Sequence, residues 1–232
     1  MKHIKSRYDE ALDEQSKNCY PGTNILINKL NIQNALELDK VERSITTLVL
    51  VDIQFREIPD TCKFFSVDYY LSLHKDVFQY VYDFAGKIRD ENIVKGSTPF
   101  CRPEYVYYNL NDTLQSMRKT ISFIDEREDL LNWLAYSYAQ LNIIHPFREG
   151  NGRVAREYLR EAVELVNKER GFNYELNLSG IDDRMRKYFI NASIVSAKKG
   201  DNQWFKKFFN LYLREKDNVK EINEINTDKK GR

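Results

Sequence analysis

Glycine and proline are scarce, nine and five residues in a chain of 232. So few chain breakers exclude collagen-like and linker-rich classes and argue against a sandwich or barrel, whose many tight turns need them. Cysteine is rarer still: Cys19, Cys62 and Cys101 lie far apart with no CxxC pair. That excludes a disulfide framework or a cysteine zinc site and fits a reducing compartment. Net charge is almost absent, 36 Lys and Arg against 35 Asp and Glu, so no global field draws the chain to nucleic acid or an anionic membrane. No apolar run reaches the length of about 18 residues that a membrane span needs. The opening MKHIKSRYDEALDEQ gains acids before any apolar stretch, so it does not read as a signal peptide. The expectation is a soluble, cytoplasmic protein with no direct nucleic-acid or membrane contact.

Aromatic residues, by contrast, are plentiful. The 15 Tyr and 13 Phe, within a 42% hydrophobic composition, suffice for a sizeable core. No repeat or linker divides the chain, so we expect an N-terminal arm over residues 1–19, one domain over 20–215 and a polar tail over 216–232. The fold class expected is all-α, a helical bundle with one small β-hairpin.

A short polar helix is predicted over 5–17, followed by a turn at Tyr20-Pro21-Gly22-Thr23. Over 33–55, Leu36, Val41, Ile45, Leu48, Val49 and Ile53 recur at helical spacing. Asp68 is the expected cap of a helix carrying Leu71, His74, Phe78, Val81 and Tyr82 and ended by Gly86. His74, among Leu71, Val77 and Phe78, reads as a core residue. Residues 87–101 are the least helical part and suggest a hairpin around Lys95-Gly96-Ser97. Pro103 opens a helix with Val106, Leu110, Leu114, Met117 and Ile121 on one face. Residues 126–144 form a strongly apolar helix, 151–169 another ended by Gly171, and Ser179 and Asp182 begin a further one. The last predicted helix runs over 201–216.

The chemistry concentrates between two of these helices, in HPFREGNGR followed by Val154-Ala155-Arg156. An apolar helix delivers His145 to its edge, and Pro146 stops the helix behind it. Phe147, the lone apolar residue of the loop, is its expected anchor in the core. Gly150 and Gly152 bracket Asn151, so backbone can approach a ligand closely and turn N–H groups toward it at the start of a new helix. Arg153 and Arg156, three residues apart, are expected on one face. The set reads as a phosphate cradle. Glu149 is its one acid, suited to a divalent cation, and His145 the one group able to accept a proton near neutrality.

This loop resembles, without departure, the signature of the Fic family, His-Pro-Phe-x-(Asp/Glu)-Gly-Asn-(Gly/Lys)-Arg. The likeness extends through Leu73-His74 and Val81-Tyr82-Asp83-Phe84-Ala85-Gly86-Lys87-Ile88-Arg89, through Tyr20-Pro21-Gly22-Thr23 with Asn28-Lys29-Leu30, and through Tyr188 to Ser193. It covers roughly residues 20–212. The resemblance implies transfer of AMP from ATP to a hydroxyl of a target protein. It makes His145 the general base and gives Glu149 a Mg²⁺ between the α- and β-phosphates. Gly150, Asn151 and Gly152 would bind phosphate oxygens through backbone and amide groups, Arg153 the β-phosphate and Arg156 the γ-phosphate. Ile93, Val94, Lys95 and Gly96 match the flap that docks the target as an added strand. Likeness to short toxin-type members implies bacterial type II topoisomerase subunits as targets. Family members are commonly restrained by a helix bearing Ser/Thr-x-x-x-Glu-Gly/Asn, which this chain lacks. Ser6 to Glu10 and Ser122 to Glu126 come nearest, so restraint by a small helical antitoxin supplying the Glu is expected. Two alternatives stand beside this: an enzyme transferring another nucleotide or phosphate group, and a silent Fic-fold binding module. Kinase-like relatives carry Lys where this chain has Gly152.

Overall fold

The computed structural model describes residues 16–95, 98–178 and 183–216. Among them are α1 (Ala35–Ile53), α2 (Thr61–Phe64), α3 (Val67–Phe78), α4 (Pro103–Thr120), α5 (Arg127–Ile144), α6 (Asn151–Arg170), α7 (Asp183–Lys199) and α8 (Gln203–Tyr212). Strands β1 (Val94–Lys95) and β2 (Thr98–Pro99) form the hairpin, with Val94 opposite Pro99. Most of the predicted N-terminal helix, the Gly96-Ser97 turn, Ser179 to Asp182 and the tail beyond Lys216 lie outside the described residues.

α5 is the central element, packed against α4, α6, α7 and α8. Leu130, Leu131, Trp133, Leu134, Tyr138, Leu141 and Ile144 are all buried, covering more of its circumference than one stripe, as a helix surrounded on several sides requires. Glu126 caps it by accepting from the backbone while Asp129 reaches back to the Glu126 N–H, a reciprocal capping box. α4 buries Val106, Leu110, Leu114 and Met117 as its spacing predicts, and Ile121 is buried in the turn just beyond it. Aromatic rings fill the space between α2, α3 and α6, where Phe64 stacks on Tyr158 at 4.5 Å.

Four expectations need correction. Ser66, not Asp68, caps α3: its hydroxyl accepts the Tyr69 N–H at 3.1 Å. That helix ends at Phe78 rather than Gly86, which instead donates its N–H to His74. The last helix stops at Tyr212, and β4 (Leu213–Glu215) pairs antiparallel with β3 (Tyr174–Leu176), a second sheet in place of one hairpin alone. Leu-Arg-Glu-Lys is good helix material, but ladder pairing overrides that weak preference. Most telling is α1. Leu36 and Leu48 are 63% and 72% exposed, whereas Leu38, Glu42, Thr46 and Ile53 face the core. Ile53 is buried and Ile45 and Val49 pack against the core as expected, but the inward stripe also takes in Glu42 and Thr46, which have a polar partner inside in Arg153.

Candidate active site

Two helix ends build the site. At the first, α5 closes on His145 in the left-handed conformation (φ 49°, ψ 61°), one of the non-glycine residues that tolerates it best. Its Nδ1 lies 3.1 Å from the Asn142 carbonyl. A carbonyl can only accept, so Nδ1 carries the hydrogen and the lone pair of the neutral ring is on Nε2. Phe100, leaving β2, stacks on the imidazole with centroids 3.7 Å apart.

Between the helices the loop is fastened from beneath. Phe147 is fully buried, stacked on His74 at 3.7 Å and Tyr70 at 5.7 Å. Asn151 is buried too, its amide accepting the Phe147 N–H at 2.8 Å and donating to the Phe147 carbonyl at 2.7 Å. The side chain of Asn151 thus closes the loop, leaving its backbone to any anion.

The second end is the start of α6, where Gly150 (φ 84°) turns the chain and the first helical N–H groups lack partners within the helix. The arginines that follow do not converge on one side as the i, i+3 spacing predicts. Arg153 leans to α1 and α3: it pairs with the buried Glu42 carboxylate, donates to Thr46 Oγ1 at 2.9 Å and lies 4.6 Å above the Phe78 ring. Tyr82 donates to the other oxygen of Glu42. Arg156 leans to α5 and α7, half-buried beside the Tyr138 hydroxyl and 5.7 Å from the Phe189 ring. The two guanidinium groups thus rest against different neighbours, Arg153 on α1 and α3 and Arg156 on α5 and α7. Glu149 accepts the Gly150 N–H at 2.8 Å and lies 3.4 Å from Arg153 Nη2.

His74 is structural, as its apolar neighbours indicate. Nε2–H donates to the Glu149 carbonyl at 3.0 Å and Nδ1 accepts the Gly86 N–H at 2.8 Å, an arrangement only the neutral ring can satisfy. Burial lowers its pKa from 6.5 to about 4; Arg153 pushes the same way, and the bond to the Glu149 carbonyl opposes both. With the folded value depressed, the unfolded chain binds a proton that the folded one refuses between those two pH values. Stability is therefore expected to fall as pH drops from 6.5 toward about 4, by about 3 kcal/mol in total, and this contribution levels off below. Urea midpoints across that range should show the slope in the wild type and lose it in His74→Gln; an unchanged slope would assign it to another group.

Glu42, Thr46 and Phe100 escape the sequence reading, and Arg89 enters it only as the end of the family-like stretch, with no role. Glu42 and Thr46 could have been found as two polar residues four apart, in register with Leu38. Of the expected flap residues, Ile93 lies beside β1 and bonds through its carbonyl to the Phe100 N–H at 3.1 Å. Val94 is exposed on β1, Lys95 ends that strand, and Gly96 is outside the described residues.

By fold and site this is a helical domain in which a histidine held at one helix end sits beside a helix start flanked by two arginines. The sequence profile of the Fic/DOC family matches residues 64–161. Over 181 residues the chain is 35% identical to the probable protein adenylyltransferase y4lH of Sinorhizobium fredii, covering 77% of this chain and 86% of that one. It is 27% identical over 183 residues to the probable protein adenylyltransferase Fic of Escherichia coli, covering 78% and 84%. The crystal structure of BepC, a VirB-translocated effector of Bartonella tribocorum with bound AMPPNP, matches with a TM-score of 0.74 at 19% identity, over 86% of this chain and 97% of that one. The chain belongs to the Fic/DOC family.

Proposed function

We propose that the protein is a protein adenylyltransferase, moving AMP from ATP to a Tyr, Ser or Thr hydroxyl of a target protein. The observation that carries this reading is the fixed tautomer of His145 at the mouth of the α6 cradle. The adenylyltransferase relatives that match most of the chain support it.

His145 Nε2 takes the hydroxyl proton, and the freed oxygen bonds to the α-phosphorus. The bond from that phosphorus to the β-bridging oxygen breaks, and pyrophosphate leaves. Such transfers demand positioning and charge neutralisation more than covalent help. The backbone of Gly150, Asn151 and Gly152 receives phosphate oxygens, while Arg153 grips the β-phosphate and Arg156 the γ-phosphate. The single, partly exposed carboxylate of Glu149 beside this cradle suits Mg²⁺, a hard cation that takes its other oxygens from phosphates and water. Bound there, Mg²⁺ would neutralise phosphate charge, with Glu149 as its protein ligand.

The β1–β2 hairpin offers Ile93 to Gly96 as an edge for an extended target segment, with type II topoisomerase subunits as the candidate targets. Restraint comes from a separate helical antitoxin. Glu126 is excluded as an internal substitute because it caps α5 at the end opposite His145, about 27 Å away along 18 helical residues. Gly152, where kinase-like relatives carry Lys, supports AMP transfer over phosphate transfer.

Incubation with Mg²⁺, a bacterial lysate and ATP labelled at either the α- or the γ-phosphate tests the reading. α-Label on a protein band is the expected result; γ-label points to a kinase, and no label to a binding module. Mass spectrometry of the band identifies the target. Self-modification should be unchanged in Glu10→Gly, and a tenfold rise would place the restraint within the chain.

A further inference from the structure

Arg89 enters no step above, yet its guanidinium is buried at 5% exposure against the end of α5. Nε donates to the His145 carbonyl at 2.7 Å, and Nη2 reaches the Ile144 carbonyl at 3.3 Å and the Cys101 carbonyl. Nη1 donates to the Glu91 carbonyl at 2.6 Å. The Arg89 backbone N–H donates to the Pro146 carbonyl at 2.9 Å, and that of Cys101 to the Ile143 carbonyl at 3.0 Å. Both roots of the hairpin, Arg89 to Glu91 on entry and Phe100 to Cys101 on exit, are therefore pinned to the turn that carries His145. A cation suits this place, since the last carbonyls of a helix are unpaired and carry the negative end of its dipole. The planar fork matters as well: four carbonyls in different directions cannot be served by the compact ammonium of a lysine.

We propose that Arg89 is a positioning residue that holds His145 in its left-handed conformation and locks it to the roots of the target-docking hairpin, so that base placement and hairpin order are one event. The proposal rests on the adenylyl-transfer reading for its kinetic consequence, but not for its structural one. Phe100, stacked on the imidazole, is the second contact of the same joint.

Arg89→Lys and Arg89→Gln test it, the lysine variant keeping the charge should the glutamine variant fail to fold. The chain holds three histidines, His3, His74 and His145, so imidazole nitrogen signals separate cleanly. The His145 signals should move in either variant while those of His74 stay in place; a merely structural role would disturb both or neither. In transfer assays kcat should fall about 10²-fold, the scale of an ångström-level misplacement, with KM for ATP within about twofold. On a His145→Ala background the same Arg89 substitution should cost nothing further. An unmoved His145 signal in a folded variant, or a loss that adds to that of His145→Ala, overturns the proposal. If the wild type transfers no AMP, the enzymatic reading fails by itself and the imidazole signals alone decide the role of Arg89.

Discussion

Replacing His145 with alanine is expected to lower AMP transfer by about 10²–10⁴-fold, the range a positioned general base supplies. ATP affinity should stay within about twofold, because the groups proposed to bind phosphate, Gly150 to Arg156, lie beyond His145 at the start of α6. A target hydroxyl is a poor nucleophile until its proton leaves, and the bond from Nδ1 to the Asn142 carbonyl leaves Nε2 as the basic atom. The backbone complicates the alanine variant, since position 145 has a φ of 49°. Alanine tolerates that region poorly, whereas asparagine visits it readily and offers no base. His145→Asn should therefore lose as much transfer as His145→Ala. Calorimetry of ATP binding beside α-label transfer checks both, and activity retained in the asparagine variant would discard His145 as the base.

The stretch from His145 to Arg156 stood out in the sequence because it is contiguous: helix stop, turn glycines and arginines fall within one short segment. The supports of that loop were not legible, because they arrive from far along the chain. Arg153 meets Glu42 across 111 residues, and Arg89 meets the His145 carbonyl across 56. No periodicity encodes such pairs. In α1 the apolar pattern is only partly right: Ile53 is buried and Ile45 and Val49 pack against the core. Leu36 and Leu48 satisfy the helical period yet face water, while a carboxylate and a hydroxyl turn inward. Burying Glu42 without Arg153 and Tyr82 would be strongly unfavourable, so the orientation of α1 follows from residues far along the chain, Arg153 among them on α6. The α4 and α5 faces, whose buried residues are mostly aliphatic and need only apolar neighbours, were readable for that same reason. The second sheet was missed because Leu213–Glu215 is helix-favouring in isolation and a strand only beside Tyr174–Leu176.

Gly150→Ala should be among the most damaging single-methyl changes in the protein. A Cβ at that position would lie 2.2 Å from Cζ and 2.3 Å from Cε2 of Phe78. The ring has nowhere to go: it is fully buried, stacked on His74 at 4.8 Å and covered by the Arg153 guanidinium at 4.6 Å. The backbone adds its own penalty, with φ at 84°. Left-handed strain of about 1–2 kcal/mol and overpacking of about 1–3 kcal/mol together predict a loss on the order of 2–5 kcal/mol. Gly171, at the other end of the same helix, supplies the control. Its φ is 72°, but among the described residues an added Cβ there meets nothing within 4 Å. Gly171→Ala should therefore show the strain alone, about 1–2 kcal/mol, with ATP binding intact. Gly150→Ala should lose both stability and ATP affinity, because any relief of the Phe78 contact shifts the first turn of α6 and the arginine resting on that ring. Urea unfolding and ATP calorimetry on the two variants separate these effects. Equal losses of stability would mean that the approach of the loop to Phe78 is not what demands glycine, and unchanged ATP affinity in Gly150→Ala would detach the nucleotide cradle from this turn.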